Sequence, residues 1–248
     1  MLEVKGLSVE INEVLVVKGI SFLIPKGKVT ALIGESGSGK SMTVSALIGM
    51  LPANSRAYGE VLYKDMDLLK ATPEKISALR KIEFFTVFQD ASNSFNPSVK
   101  MDRQLYAFSA SRVGDDEAKF QEKMPEILER LNLSVDIMNR YPFELSGGML
   151  QRCMVACAFY LEPELLIADE PTSALDKVVQ KEFIKTLRLL NESGTTVLII
   201  THDLDVVAAV ADEMIVMRKG EVVETGAVKD VLANPTHEYT KRLLESRF

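Results

Sequence analysis

A chain of 248 residues with 47% hydrophobic and 26% charged residues has ordinary globular composition and is long enough to bury one large α/β core. Its formal net charge of −6 disfavours a general nucleic-acid binder, which needs a basic face against phosphates. Two cysteines are too few for a disulfide framework, and the two histidines lack zinc-site spacing.

The N-terminus, MLEVKGLSVE, carries charges where a signal peptide needs an apolar core, and no stretch approaches the roughly 18 apolar residues of a membrane span. A reduced, intracellular protein is expected, with any membrane role supplied through a partner. Residues 2–10 and 14–23 alternate apolar and polar positions as half-buried strands do. Pro25, Gly27 and Lys28 mark a turn, and Val29–Ile33 is an apolar run suited to a buried parallel strand. Glycines at 34, 37 and 39 lead into a helical pattern through Val44, Leu47, Ile48 and Leu51, which Pro52 is expected to close. Residues 83–88 read as a strand. From 98 to 162 the patterns are mostly helical, with an acidic run at 115–117 as a solvated helix start. Then a βαβ rhythm returns: strand 164–169, helix 177–192, strand 195–200, helix 203–211 and strand 213–218. Such alternation predicts a mainly parallel sheet covered by helices, with a helical lobe inserted.

Gly34-Glu35-Ser36-Gly37-Ser38-Gly39-Lys40-Ser41 fits the P-loop pattern between a strand and a helix. Glycines let backbone amides turn inward around phosphates, and the following helix presents its positive end. Lys40 would reach the β- and γ-phosphates, and the Ser41 hydroxyl would ligate Mg²⁺. Without a ligand, the same residues make a glycine-rich strand–helix turn. Leu165–Glu170 is an apolar strand ending in two carboxylates; Asp169 suits a Mg²⁺ shell and Glu170 suits taking a proton from attacking water. Alone, such an ending is common, and the P-loop gives it meaning. Cys153 and Cys157 share a helix face, where buried packing outweighs a metal or redox pair.

Leu145-Ser146-Gly147-Gly148, followed by Gln151-Arg152, resembles the signature motif of ABC ATPases. Gln89 resembles that family's Q-loop glutamine, Ser173-Ala174-Leu175-Asp176 its D-loop, and His202 its switch histidine. Taken alone, the signature could be a polar helix cap and His202 a surface residue; their order is what carries the resemblance. It implies one ABC ATPase domain over 1–248: a P-loop NTPase α/β core at 1–89 and 163–248, mainly parallel with an N-terminal antiparallel β subdomain, and a helical subdomain at 90–162. It implies ATP held by residues 34–42, Met42 included, with Ile11 at the base. Ser146, Gly147, Gly148 and Asp176 would reach a nucleotide bound to a second subunit. Ser41, Gln89 and Asp169 would hold Mg²⁺, and Glu170, His202 and Gln89 would carry catalysis. The implied partners are transmembrane permease subunits, a second ABC ATPase subunit (a heterodimer in the working complex, homodimers in isolation) and, indirectly, an extracytoplasmic solute-binding protein. No nucleic-acid partner is expected. The location implied is peripheral, at the cytoplasmic face of the membrane.

Phe88–Pro97 and the segment Asn234–Leu244, with its Pro-x-His-x-Tyr-Thr pattern, resemble the peptide/nickel branch of ABC importers. Ala91 stands where that branch commonly has proline and Phe95 where it often has leucine. Phe95 and the short tail tilt the reading toward metal-chelate or nickel import over peptides. No cysteine follows Cys157, so the iron–sulfur cluster some peptide importers carry in a longer tail is not expected. DNA-repair and chromosome cassettes insert a long coiled coil between P-loop and signature, whereas here that interval is only residues 42–144; translation-type members carry two cassettes. A cassette that regulates without hydrolysing would not need Glu170 and His202. The departure with the clearest consequence is Ile11, where the family usually stacks an aromatic on adenine. Titrating the isolated chain with ATP is therefore expected to give an affinity weaker than low micromolar; a low-micromolar value would refute this.

Overall fold

In the computed structural model, which describes residues 1–89, 91–173 and 175–245, strand β1 (Leu2–Ile11) changes parity halfway. Leu2 and Val4 are buried, then Leu7 and Val9. Side chains alternate strictly along a strand, so such a change needs a bulge, and the register with both neighbouring strands slips around Gly6. Next come β2 (Val14–Ile24), β3 (Val29–Ile33), helix α1 (Lys40–Leu47), β4 (Ser55–Tyr63), β5 (Met66–Asp67) and α2 (Pro73–Ile82). The antiparallel sheet runs β2-β1-β4-β5.

The chain then passes through β6 (Phe84–Val87), α3 (Met101–Phe108), α4 (Ala110–Val113), α5 (Glu117–Arg130), α6 (Gly147–Leu161), β7 (Leu165–Asp169) and α7 (Lys177–Glu192). It closes through β8 (Thr196–Ile200), α8 (Leu204–Val210), β9 (Glu213–Arg218), β10 (Glu221–Ala227), α9 (Val228–Ala233) and α10 (Glu238–Glu245). Two compact units result: Met1–Arg80 with Thr196–Phe248, and Lys81–Thr195.

In the first unit β3 pairs in parallel with β8 on one side and β9 on the other, and β10 returns antiparallel to β9. Both β3 and β8 are buried along their whole length, which explains their unbroken apolar runs. In the second unit β6 and β7 pair in parallel. Here α7 buries Phe183, Leu187 and Leu190 on one stripe, each worth roughly 1.5–3 kcal/mol. By contrast α6 is buried almost all round. It carries Cys153 and Cys157, both free and fully buried, and burial pushes both thiols up, Cys153 to about 12. Asp116 caps α5 by accepting from the Lys119 amide at 2.9 Å, so the acidic run does start a helix. Among the described residues no helix is long and apolar enough to cross a membrane.

The mainly parallel core, antiparallel N-terminal sheet and helices agree with the expected fold class. Several elements escape the apolar pattern. Only Val61 and Tyr63 of β4 are buried, so its pairing with β1 is a matter of backbone register. The single buried residue of β10 is the charged Glu224. The P-loop helix ends at Leu47, before Pro52, because Gly49 adopts the left-handed conformation (φ 62) and closes it. The Gly49 amide donates to Ala46 at 3.3 Å and the Met50 amide to Ser45 at 2.8 Å, the paired bonds of a Schellman motif. A Cβ on Gly49 would also lie 2.7 Å from Ile76 Cγ2. Gly49→Ala is expected to destabilise the chain by about 1–2 kcal/mol, read as a lower denaturant midpoint at unchanged slope.

Candidate functional site

The P-loop leaves the buried end of β3 at Gly34, whose φ is +152. The backbone there packs so tightly on β9 that a Cβ would overlap the Met217 carbonyl oxygen and lie 2.7 Å from Ser38 Oγ. Lys40 opens α1 and is buried; its Nζ donates to the carbonyl of Gly34 at 2.7 Å and to that of Glu35 at 3.0 Å. The Glu35 carbonyl also accepts from the Ser38 amide at 3.1 Å. The Ser38 carbonyl accepts from the Gly220 amide at 3.0 Å, and the Gly220 carbonyl from the Lys18 amide at 2.8 Å, so the β9–β10 turn and β2 clamp the loop.

Gly39 caps α1 without a side-chain hydrogen bond, and Ser38 Oγ is buried without a partner. First-turn amides lacking a side-chain cap, an orphaned hydroxyl and a buried ammonium form a donor set suited to phosphate oxygens. Glu35, Ser36, Gly37 and Ser41 are exposed and Met42 is half-buried. The exposed Ser41 hydroxyl and the Asp169 carboxylate are hard oxygen donors of the kind Mg²⁺ takes.

Ile11 ends β1 opposite Val14 and Ser55, half-buried, with Val14 and Leu15 exposed beside it in sequence order along β2. Residue 11 thus belongs to an aliphatic strand end. His202 follows β8 and is exposed, and the next residue, Asp203, caps α8 through the amides of Asp205 and Val206.

In the second unit Asp169 ends β7 and Glu170 takes a left-handed backbone (φ 46), uncommon for a side chain of this kind. Its carbonyl accepts from both the amide and the hydroxyl of Ser173, at 3.2 and 3.0 Å. Gln89 Nε2 donates to Ser173 Oγ at 3.2 Å, and Gln151 Nε2 donates to the Gln89 carbonyl at 3.3 Å. Gln89, Glu170 and the helix after the signature are therefore joined by one polar chain. Ser146 caps α6 by accepting from the Met149 amide at 3.3 Å. Exposed Gly147 follows, then buried Gly148, where a Cβ would collide with Val179. Asp176 Oδ1 caps α7, accepting from the amides of Val178 and Val179 at 2.9 Å each. Asp90 and Ala174, within the Q-loop and D-loop stretches, lie outside the described residues.

Residues 17–173 match the ABC transporter family. The chain belongs to that family. As an ABC transporter cassette it is an ATPase whose hydrolysis of ATP is coupled to transport, a component that works with a membrane permease. It is 37% identical to the oligopeptide transport ATP-binding protein OppD of Bacillus subtilis, covering 99% of this chain and 71% of that one. It is 34% identical to the metal-staphylopine import system ATP-binding protein CntD of Staphylococcus aureus, over 93% and 86%. Among solved structures, cbiO1 from Clostridium perfringens, part of the cbiONQ transporter complex, superposes with a TM-score of 0.81 at 29% identity, over 100% and 95% of the two chains. A dimeric ATP-binding cassette bound to ADP and Pi superposes at 0.79 with 25% identity, over 92% and 99%.

Two supports of this ABC cassette's site went unread in its sequence. One is the β9–β10 turn, whose Lys219 and Gly220 both have positive φ (50 and 86). Lys-Gly between two strand-like runs was its available signal. The other is the tail. Glu224 accepts from the Thr236 amide and hydroxyl at 2.7 and 2.8 Å and from the His237 amide at 3.1 Å. Burial would raise this carboxyl, but those bonds outweigh it and hold it at about 2, below the usual 4.5. With the folded value below the unfolded one, Glu224 contributes stability above pH 4.5 that is lost as pH falls toward 2. Over that window the stability of the native chain should fall more steeply than that of Glu224→Gln, measured by urea unfolding at each pH.

Proposed function

We propose that this chain powers the import of peptide-like solutes or metal chelates, the classes named for its relatives OppD and CntD. The observation that carries the reading is the P-loop donor set: buried Lys40 on the carbonyls of Gly34 and Glu35, with an orphaned Ser38 hydroxyl beside helix amides lacking a side-chain cap. ATP would lie along residues 34–42 with Ile11 toward the base. Mg²⁺ would be held by Ser41, Asp169 and Gln89, and when bound it would neutralise charge on the phosphate oxygens.

Glu170 would accept a proton from the attacking water, and His202 would orient the γ-phosphate and that water. A signature at the start of α6 offers a hydroxyl and amides that this chain's own P-loop does not need. Ser146, Gly147, Gly148 and Asp176 would therefore close over ATP held by a second cassette. Binding would join the two halves and hydrolysis would part them. In the assembled importer the second cassette would be a different gene product, set beside permease subunits at the cytoplasmic face and fed by an extracytoplasmic solute-binding protein. The helical subdomain, residues 90–162 between the core segments 1–89 and 163–248, would meet the permease. Gln89 would pass the movement on, since its side chain bonds Ser173 and its carbonyl takes Gln151.

Glu170→Gln is the test. Turnover is expected to fall by about 100-fold or more, while ATP binding persists and an ATP-dependent dimer accumulates on size exclusion. Unchanged turnover would overturn the assignment of Glu170, and a wild-type chain that binds ATP without hydrolysing it in any assembly would make this a regulatory cassette.

A further inference from the structure

The segment around Pro235, His237 and Tyr239 has no part in the hydrolytic scheme, yet it reaches the nucleotide loop. Tyr239, on α10, is buried, and its hydroxyl accepts a hydrogen bond from the Glu35 amide at 3.1 Å. Glu35 is a junction of the P-loop. Its amide meets the tail, while its carbonyl takes both the Ser38 amide at 3.1 Å and the Lys40 ammonium at 3.0 Å. A peptide group is planar, so fixing the Glu35 amide restricts how the neighbouring Gly34 carbonyl, which also accepts from Lys40 at 2.7 Å, can turn.

The tyrosine is itself held at its ring and at its amide, and the segment before it is anchored in turn. Arg218 lies over its ring with the guanidinium carbon 4.9 Å from the centroid. The Tyr239 amide donates to His237 Nδ1 at 3.1 Å. The His237 amide in turn reaches the Glu224 carboxylate, as do the Thr236 amide and hydroxyl. Burial pushes the Tyr239 phenol up, so it stays a neutral hydroxyl. A closing helix needs no more than packing; this one sets a polar group against the backbone of the catalytic loop.

We propose that Tyr239 is a positioning residue for the ATP site: its hydroxyl fixes the Glu35 peptide, and through it Lys40, so the docked tail sets how well the P-loop is formed for nucleotide. This rests on the reading of residues 34–41 as the ATP-binding loop. Glu224 is the anchor of the device and Tyr239 its contact point.

The test uses the full chain and a fluorescent ATP analogue. Tyr239→Phe keeps the ring under Arg218 and removes the acceptor. It is expected to lower the melting temperature by no more than about 2–4 °C and weaken nucleotide binding about three- to tenfold, the worth of one hydrogen bond. Amide exchange at residues 34–41 should quicken in the nucleotide-free chain. Glu224→Gln should weaken binding in the same direction, and the double variant should lose less than the product of the two, because both act through one contact. Wild-type affinity and wild-type exchange in Tyr239→Phe would overturn the proposal. So would a melting temperature lowered by more than that, with faster exchange throughout the chain, which would make the hydroxyl a general structural group. Lys40→Ala separates the two levels. If it weakens binding strongly while Tyr239→Phe changes nothing, only the tail's role fails; if Lys40→Ala binds nucleotide as tightly as the wild type, the reading of the loop itself is wrong.

Discussion

Lys40 keeps only 8% of its surface exposed, and a buried ammonium costs several kcal/mol unless its protons find acceptors. Two of its acceptors are main-chain carbonyls of its own loop, those of Gly34 and Glu35. Carbonyls aim at a cation only while the backbone carrying them is held, and much of the first unit is devoted to holding it. The Met217 carbonyl leaves no room for a side chain at residue 34, the β9–β10 turn bonds Ser38, and a tyrosine from the far end of the chain bonds Glu35. Such pre-arrangement suits the phosphate contact proposed for Lys40, because charge already oriented need not be reorganised when the substrate arrives.

The second unit handles its polar groups by a different route. Its catalytic candidates are strung on neutral amides and a hydroxyl: Gln151 to Gln89, Gln89 to Ser173, Ser173 to the Glu170 carbonyl. Neutral groups can exchange partners at smaller cost than a desolvated ion pair, which suits the transmitting role proposed for Gln89. The left-handed backbone of Glu170 sits at the end of that chain, secured by two bonds from Ser173. A conformation a glutamate rarely adopts is kept because its surroundings over-determine it.

Much of this was legible beforehand, for identifiable reasons. The strands β3, β7 and β8 are apolar because they are buried, and the P-loop, signature and Asp169-Glu170 motifs mark the family through residue type and spacing. The failures are equally specific. β4 and β10 bury too few apolar side chains to leave a period, and β10's one buried position is a carboxylate. The end of α1 was assigned to Pro52 when the decisive signal was the glycine three residues before it. The link between Tyr239 and Glu35 joins residues 204 positions apart, and no local pattern encodes such a contact.

Cys153 and Cys157 have a practical implication. Both are fully buried in α6, and burial disfavours the thiolate that alkylating reagents require. Thiol-directed probes should therefore react slowly with the folded chain, with no residue removed. A spin label or fluorophore would then go preferentially to a single introduced surface cysteine, which suits the protein to following distances through a catalytic cycle.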